Sequence, residues 1–387
     1  INLTFIDINM CYMYRKGYGF TLLCILCIVL YSPTSALNPL DYSLNTIPIT
    51  PLLPEDTEKI PVGILVMQSG FVSDIGEEYE RAFEMVEEDH PDSPIQPVII
   101  DAGSNVTTAI SAWNTLKSEY PDLSIVVTVA SWTTNVVYPD AADDGKVQIA
   151  LGSAVVNKSR LNDRLVRFTP GVEQESPILA EYLSQYDRVA ILGGENDYAR
   201  GYISALNSLI PEKIVDIVQY DPDTLPGSLD LTPVRDNNPD IILLLSMSEA
   251  EAVAEMIRNI GISAPLVGTR VIERNTLLET PVADGLIFTI PALNRSVPFF
   301  SRYREEYGEE ATFYGAEGYD AMNILYDAVE TCGEDQECLS SWFTANQYPG
   351  SLGDVQFDEN RVAFYPIEFK IIRNGSFEHY EGMRPVQ

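Results

Sequence analysis

Val62-Gly63-Ile64-Leu65-Val66-Met67-Gln68-Ser69-Gly70-Phe71-Val72-Ser73 is the stretch on which the fold reading turns. It opens on a near-continuous apolar run, the pattern of a strand covered on both faces. A polar turn containing Gly70 follows, and from Asp74 onward Tyr79, Ala82, Phe83 and Val86 recur at helical spacing. The same unit repeats downstream. A strand over 98–100 precedes a helix over 107–120, with Ile110, Trp113 and Leu116 on one face. A strand over 124–129, a helix from Thr134 and a strand over 147–151 come next. A second series then runs as helix 175–186, strand 188–192, helix 198–210, strands 214–220 and 241–245, helix 249–260 and strand 266–268. Alternating order with Val/Ile/Leu-rich strands predicts an α/β protein with parallel, doubly wound sheets.

Two composition breaks divide this pattern, at 168–171 and 285–291. Beyond the second lie helical stretches over 299–307 and 314–330, then a tail over 354–380 that reads as antiparallel strands. The expected organisation is two lobes, 61–170 with 289–350 and 171–288 with 351–387. Chain crossings near Pro170, Phe288 and Ser351 would join them. Such an arrangement leaves a cleft between lobes, where ligands of open α/β sheets settle.

Ahead of the fold, Met13-Tyr14-Arg15-Lys16 is basic, Phe20 to Tyr31 is apolar, and Ser32-Pro33-Thr34-Ser35-Ala36 supplies a small-residue end. These are the three parts of a secretory signal, which makes residues 1–36 an expected export segment with cleavage after Ala36. Residues 1–12 are set aside, with Met10 or Met13 as the expected start. Residues 37–60, rich in Pro and Thr, read as a linker. The roughly 350 residues beyond the signal suit two domains. A formal net charge of −33, from 57 Asp+Glu against 24 Lys+Arg, argues against nucleic-acid binding, which needs a basic footprint. In an oxidising compartment the isolated pair Cys332 and Cys338 is expected to form a disulfide. His90 and His379 are the only histidines and neither neighbours a cysteine, so no metal site is expected.

Several strings in order carry a family resemblance: Gly63-Ile-Leu-Val-Met-Gln-Ser-Gly, Phe168-Thr-Pro-Gly-Val, Tyr319-Asp-Ala-Met-Asn-Ile-Leu-Tyr-Asp-Ala, and Gly353-Asp-Val-Gln-Phe-Asp-Glu-Asn-Arg. On these, residues 60–380 resemble the type I periplasmic solute-binding proteins, specifically the leucine/isoleucine/valine-binding group of ABC importers. The resemblance implies two Rossmann-like lobes, a three-crossing hinge and a ligand site between them. It puts Ser131, followed by Trp132, Thr133 and Thr134, against a ligand carboxylate, with the Gly152-Ser153-Ala154 loop completing the clamp, Ala154 standing where the family has a Thr hydroxyl and Ser153 lying beside it. It also puts Tyr198 over the ligand from the second lobe. Where the amino-acid binders carry an acid for the ligand ammonium, this chain reads Gly268-Thr269-Arg270. Arg270 would favour a second anionic group, since guanidinium grips carboxylate through paired hydrogen bonds. Glu273, Glu195 or Glu317 would have to replace the missing acid.

Blander roles stand beside these. Ser131, Thr133 and Thr134 follow an apolar strand and would equally cap the next helix. Trp132 would wall a pocket or pack inside, Arg270 would serve a salt bridge, and Glu317 would sit on a solvated face. No GxGxxG after a strand, P-loop, G-x-S-x-G elbow or metal-spaced histidine pair occurs, so no enzyme and no cofactor is expected. The leading expectation is an extracytoplasmic, monomeric binding protein that captures a small amino acid, amide or carboxylate and delivers it to a membrane permease. A ligand-binding sensor working with a separate partner chain is the alternative, and an exported α/β enzyme ranks behind both.

Overall fold

The computed structural model describes residues 14–16, 19–21, 59–158 and 164–382. In the N-terminal unit, Ile1–Glu55, strands β1 (Tyr14–Lys16) and β2 (Gly19–Thr21) pair antiparallel. Past Thr21 the expected export segment lies outside the described residues, and so do linker residues 37–58. Among the described residues no helix is long and apolar enough to cross a membrane.

The second unit, Asp56–Gln387, holds the α/β fold. Its first series runs β3 (Ile60–Val66), α1 (Ser73–Asp89), β4 (Ile95–Asp101), α2 (Val106–Glu119), β5 (Ile125–Val129), α3 (Ser131–Asp143), β6 (Val147–Leu151) and β7 (Arg164–Arg167). These strands make a parallel sheet in the order β4-β3-β5-β6-β7. Every residue of β5 and β6 is buried, as strands sandwiched between helices must be. Helix α2 is set by a capping box: the Asn105 side chain accepts from Thr108 N–H at 3.0 Å, and Thr108 Oγ1 accepts from Asn105 N–H at 3.4 Å. Its buried face is Ala109, Ala112, Trp113 and Leu116, which leaves Ile110 exposed, contrary to the apolar stripe read from spacing.

The second series runs α4 (Val172–Leu183), β8 (Val189–Gly194), α5 (Asp197–Leu209), β9 (Ile214–Tyr220), α6 (Thr232–Asn237), β10 (Ile241–Leu245), α7 (Ala250–Asn259), β11 (Leu266–Gly268), α8 (Asn275–Leu278) and β12 (Ile287–Pro291). The chain then adds α9 (Pro298–Tyr307), α10 (Phe313–Cys332) and α11 (Gln336–Ala345), with α10 packed along α1 and α11 against β7. A small antiparallel sheet follows, β13 (Tyr348–Gly350), β14 (Gly353–Phe357) and β15 (Ala363–Phe364). Finally β16 (Ile367–Arg373) and β17 (Ser376–His379) complete a seven-stranded sheet, β17-β16-β12-β11-β10-β8-β9. It is parallel from β9 to β12, and its last two strands are antiparallel. The result is the two-lobe α/β fold that the alternation predicts.

Local boundaries differ from the sequence reading for physical reasons. Helix α3 begins at Ser131, not near Thr134, because Ala130 turns the chain sharply at φ 73°. Residues 287–291, read as a break, form β12: Ile287, Phe288 and Ile290 are all buried, and Pro291 falls at the strand end, where a missing N–H is tolerated. The chain therefore leaves the second sheet beyond Pro291 rather than near Phe288. It rejoins that sheet at β16 rather than near Ser351, because Val362 is still bridged to Arg167 on the first lobe. Cys332 ends α10 and Cys338 lies in α11, with Cα atoms 5.5 Å apart, inside the span a disulfide bridges.

The start of α1 lies hard against the end of β3. A Cβ on Gly76 would stand 1.8 Å from the Met67 carbonyl oxygen, a backbone atom that cannot swing aside. Gly76→Ala is expected to lower stability by about 1–3 kcal/mol or more, since overpacking at a rigid contact forces the backbone to move. Urea denaturation of wild type and variant measures the difference.

Candidate functional site

Two loops at the carboxyl ends of β5 and β6 make the floor of the cleft. Between β5 and α3 sits Ala130, at φ 73° and ψ 151°, a conformation that costs a residue with a side chain of the order of 1–3 kcal/mol. That turn delivers Ser131 as the first residue of α3, at a helix N-terminus whose first N–H groups have no intrahelical acceptor. Ser131 Oγ accepts from Val155 N–H at 3.3 Å, so it holds the neighbouring loop while lining the cleft.

The lobes close on a cavity of about 30 Å³. Its walls are mostly apolar: Met67, Val72 and Ile75 from the first lobe, Met247 and Val271 from the second. Tyr79, Trp132, Tyr198 and Tyr314 add aromatic surface, and Ser131, Gly152 and Arg270 are its polar members. The Trp132 indole Nε1–H is buried and has no acceptor among the described residues. A space of this size holds roughly one water, so a solute enters only as the lobes part.

Behind the cleft lies a buried ion pair. Arg270, 1% exposed, forms an ion pair through Nη1 with Glu175, which is 0% exposed. Tyr202 Oη and Thr289 Oγ1 also donate to Glu175, and Arg270 Nη2 donates to the Pro170 carbonyl at 3.2 Å. The Tyr198 ring centroid is 6.0 Å from the guanidinium carbon, and the Tyr198 hydroxyl bonds Thr269 Oγ1. Burial pushes the Tyr198 phenol up to about 12, so it faces the cleft as a neutral group.

A second buried carboxyl, Glu317 on α10, accepts from Gly152 N–H at 2.8 Å, from Thr169 Oγ1 at 2.6 Å and from the Tyr79 hydroxyl. Burial raises its pKa, and the bonds from Thr169, Tyr79 and Gly152 oppose that rise. Glu317 thus occupies the Gly152 N–H that the resemblance assigns to a ligand carboxylate.

Of the residues expected at the site, Ser131, Trp132, Gly152, Tyr198 and Arg270 line one cavity. Thr133, Ser153, Ala154 and Glu317 are buried beside it without lining it. Ser153 N–H donates to Thr169 Oγ1 at 2.9 Å, and the Ala154 carbonyl accepts from Arg167 Nη2 at 3.2 Å. Arg270 is not free to reach outward, because Glu175 already holds it. Neither Glu273 nor Glu317 supplies an uncommitted acid: Lys370 Nζ donates to Glu273 at 2.6 Å, and Glu317 is bonded as above. Glu195 is exposed. Glu175 was invisible in the sequence. It reads as an ordinary first-turn helix acid, and its partner lies 95 residues away.

Beside the cleft, α1 and the α9–α10 segment of the first lobe face residues 273–276 of the second. Arg274 Nη2 pairs with Asp74, and Phe313 N–H donates to Glu273 Oε2 at 2.9 Å, both across the lobes. Glu78 accepts from Thr312 Oγ1 at 2.7 Å and from Thr312 N–H, yet burial still pushes its carboxyl up to about 7. Among the described residues no group of three or more His, Cys, Asp or Glu is arranged to hold a metal ion.

A sequence model described as "Periplasmic binding protein" matches residues 59–364. The chain belongs to that family, with the type I two-lobe fold. An extracellular ligand binding receptor from Desulfohalobium retbaense is 31% identical, with a TM-score of 0.80. That similarity covers 84% of this chain but only 60% of the receptor chain. Leucine binding protein LivK from Thermotoga maritima shares the fold at 21% identity and TM-score 0.76, over 84% of this chain and 99% of its own. So does a solute binding protein of an ABC transporter from R. palustris, solved with benzoate, at 14% identity and TM-score 0.76, over 83% and 95%. No curated protein matches this chain.

Two outcomes follow from these charges. Arg270→Met leaves Glu175 buried without its cation and is expected to cost roughly 3–5 kcal/mol. Replacing Glu175 as well should recover part of the loss, as read from chemical denaturation of both variants. A carboxyl whose folded pKa is raised contributes stability at low pH and loses it as pH climbs through the folded value. Wild-type stability is therefore expected to fall as pH rises from about 4.5 through about 7, and Glu78→Gln should flatten that fall in melts taken across the same range.

Proposed function

We propose that this chain is the solute-binding protein of an ABC importer, an exported monomer that closes its lobes on a small ligand with an apolar body and a carboxylate or similar oxygen-rich head. One observation carries the reading: the cleft offers donors and apolar walls but no uncommitted acid. Ser131 and the start of α3 can meet an oxygen, the buried Trp132 indole N–H beside them lacks an acceptor among the described residues, and a helix N-terminus favours an anion. The carboxylates nearest to it, Glu175 and Glu317, are fully bonded elsewhere. An α-amino acid would bring an ammonium group with nothing to receive it. A carboxylate on an aliphatic or aromatic body matches the walls, and the benzoate of the R. palustris relative has this chemistry. Family membership supports an extracytoplasmic location and delivery to a permease, and the 5.5 Å Cα separation supports a Cys332–Cys338 disulfide.

A thermal-shift screen of aliphatic and aromatic carboxylates against branched-chain amino acids tests the class. Saturating ligand is expected to stabilise the protein by roughly 3–4 kcal/mol. Calorimetry on the best hit then tests the site. Ser131→Ala is expected to weaken binding by about tenfold to a hundredfold, the loss of one hydrogen bond to a charged group. Preference for leucine over its deaminated carboxylic acid would reject the head-group assignment, and wild-type affinity in a folded Ser131→Ala protein would reject the clamp.

A further inference from the structure

A solute reaches the cleft only when the lobes part, and the lobes are also joined by direct bonds beside the cleft. Arg274, between β11 and α8 of the second lobe, pairs through Nη2 with Asp74 in the first turn of α1. The guanidinium is almost dry. Arg274 is 8% exposed, and its Nε and Nη1 are buried without an acceptor among the described residues. Asp74, whose side chain is 43% exposed, is its one carboxylate partner within ion-pair distance there. Neither residue lines the cavity of the main cleft.

Other bonds across the lobes are placed differently. Glu273 takes the Phe313 N–H, and Arg295 at 3.5 Å, from the first lobe, but keeps Lys370 in its own lobe at 2.6 Å. Asp197 takes Asn135 Nδ2 from α3 at 3.3 Å, but keeps Arg200 at 2.7 Å. When the lobes part, each of these acids retains a cation. Arg274 retains no carboxylate within ion-pair distance, and water replaces Asp74.

We propose that Asp74 is a latch: its carboxylate lets the lobes close over the Arg274 guanidinium before any solute arrives, and so sets the affinity for every solute by one common factor. The argument rests on an asymmetry between the two groups. Closure strips water from a guanidinium whose Nε and Nη1 find no partner, and the bond to Asp74 offsets that loss. Without Asp74, the closed form buries an unpaired cation while the open form hydrates it. Without both charges, closure traps none and the opposition disappears. A solute held only by the closed form loses affinity by the factor by which the closed population falls. Since Asp74 lies outside the cleft wall, that factor is blind to solute chemistry.

Small-angle scattering of the full chain without added solute tests the latch. Wild type is expected to be more compact than Asp74→Asn, and the double variant Asp74→Asn with Arg274→Met to return toward wild type. A weakened start of α1 alone would lower the melting temperature without widening the particle. Equal profiles for wild type and Asp74→Asn overturn the proposal, whether both are open or both closed. A double variant as open as Asp74→Asn also overturns it, because the trapped charge would not then be what opposes closure. Should the double variant fail to fold, the single variant decides. Calorimetry with benzoate and 4-methylpentanoate is a second arm, which rests on the carboxylate reading above. Asp74→Asn is expected to bind both acids about tenfold more weakly, by the same factor. Unchanged affinity, or a loss confined to one acid, overturns the proposal. If wild type binds neither acid, the solute class fails, and scattering alone judges the latch.

Discussion

The buried pair of Arg270 and Glu175 is the constraint around which the second lobe is organised. Taking two charges out of water costs several kcal/mol per ion unless geometry and further hydrogen bonds return it. Here the return comes from four separate elements. Glu175 lies in the first turn of α4, Tyr202 comes from α5, Thr289 from β12, and the Pro170 carbonyl from the chain crossing itself. Satisfying one guanidinium therefore sets the helix after the crossing against the middle of the seven-stranded sheet. It also holds the Tyr198 ring over the cleft.

Glu317 plays the corresponding part in the first lobe. From α10 it reaches Tyr79 on α1, Gly152 after β6 and Thr169 at the crossing. Glu317 and Arg270, the cation that Glu175 holds, thus both touch the stretch at 168–171, one from each lobe. The rigid parts on either side of that crossing are tied down, and relative motion is left to the few residues of the three connections. The cleft between these bodies measures about 30 Å³, and the proposed hinge motion would open it without loosening its walls. Because the acids are spent on structure, what remains exposed to a solute is donors and apolar surface.

Much of this was legible along the chain. Uninterrupted Val/Ile/Leu runs separated by helical periodicity suffice for parallel sheets covered on both faces, since apolar periodicity depends only on local geometry. Ser131 and Gly152 were also readable as residues bordering the cleft, because they follow strand ends where a parallel sheet presents its loops. Where an element is short or closed by an unusual residue, the reading slipped. Residues 287–291 lack polar alternation and end in Pro291, and Arg164–Arg167 mixes charge with apolar residues at a sheet edge.

By itself, then, the sequence determined the alternation of strands and helices, the two-lobe class and the loops that border the cleft. These rest on contacts between near neighbours in the chain. Tertiary structure alone decided what the charged residues do. Arg270 and Glu175 are 95 positions apart, and Glu317 meets Gly152 across 165. Whether a buried charge faces a ligand or another residue depends on which distant segment reaches it first. Coulomb and hydrogen-bond terms act over a few ångströms of space, and no local pattern in the sequence records that separation.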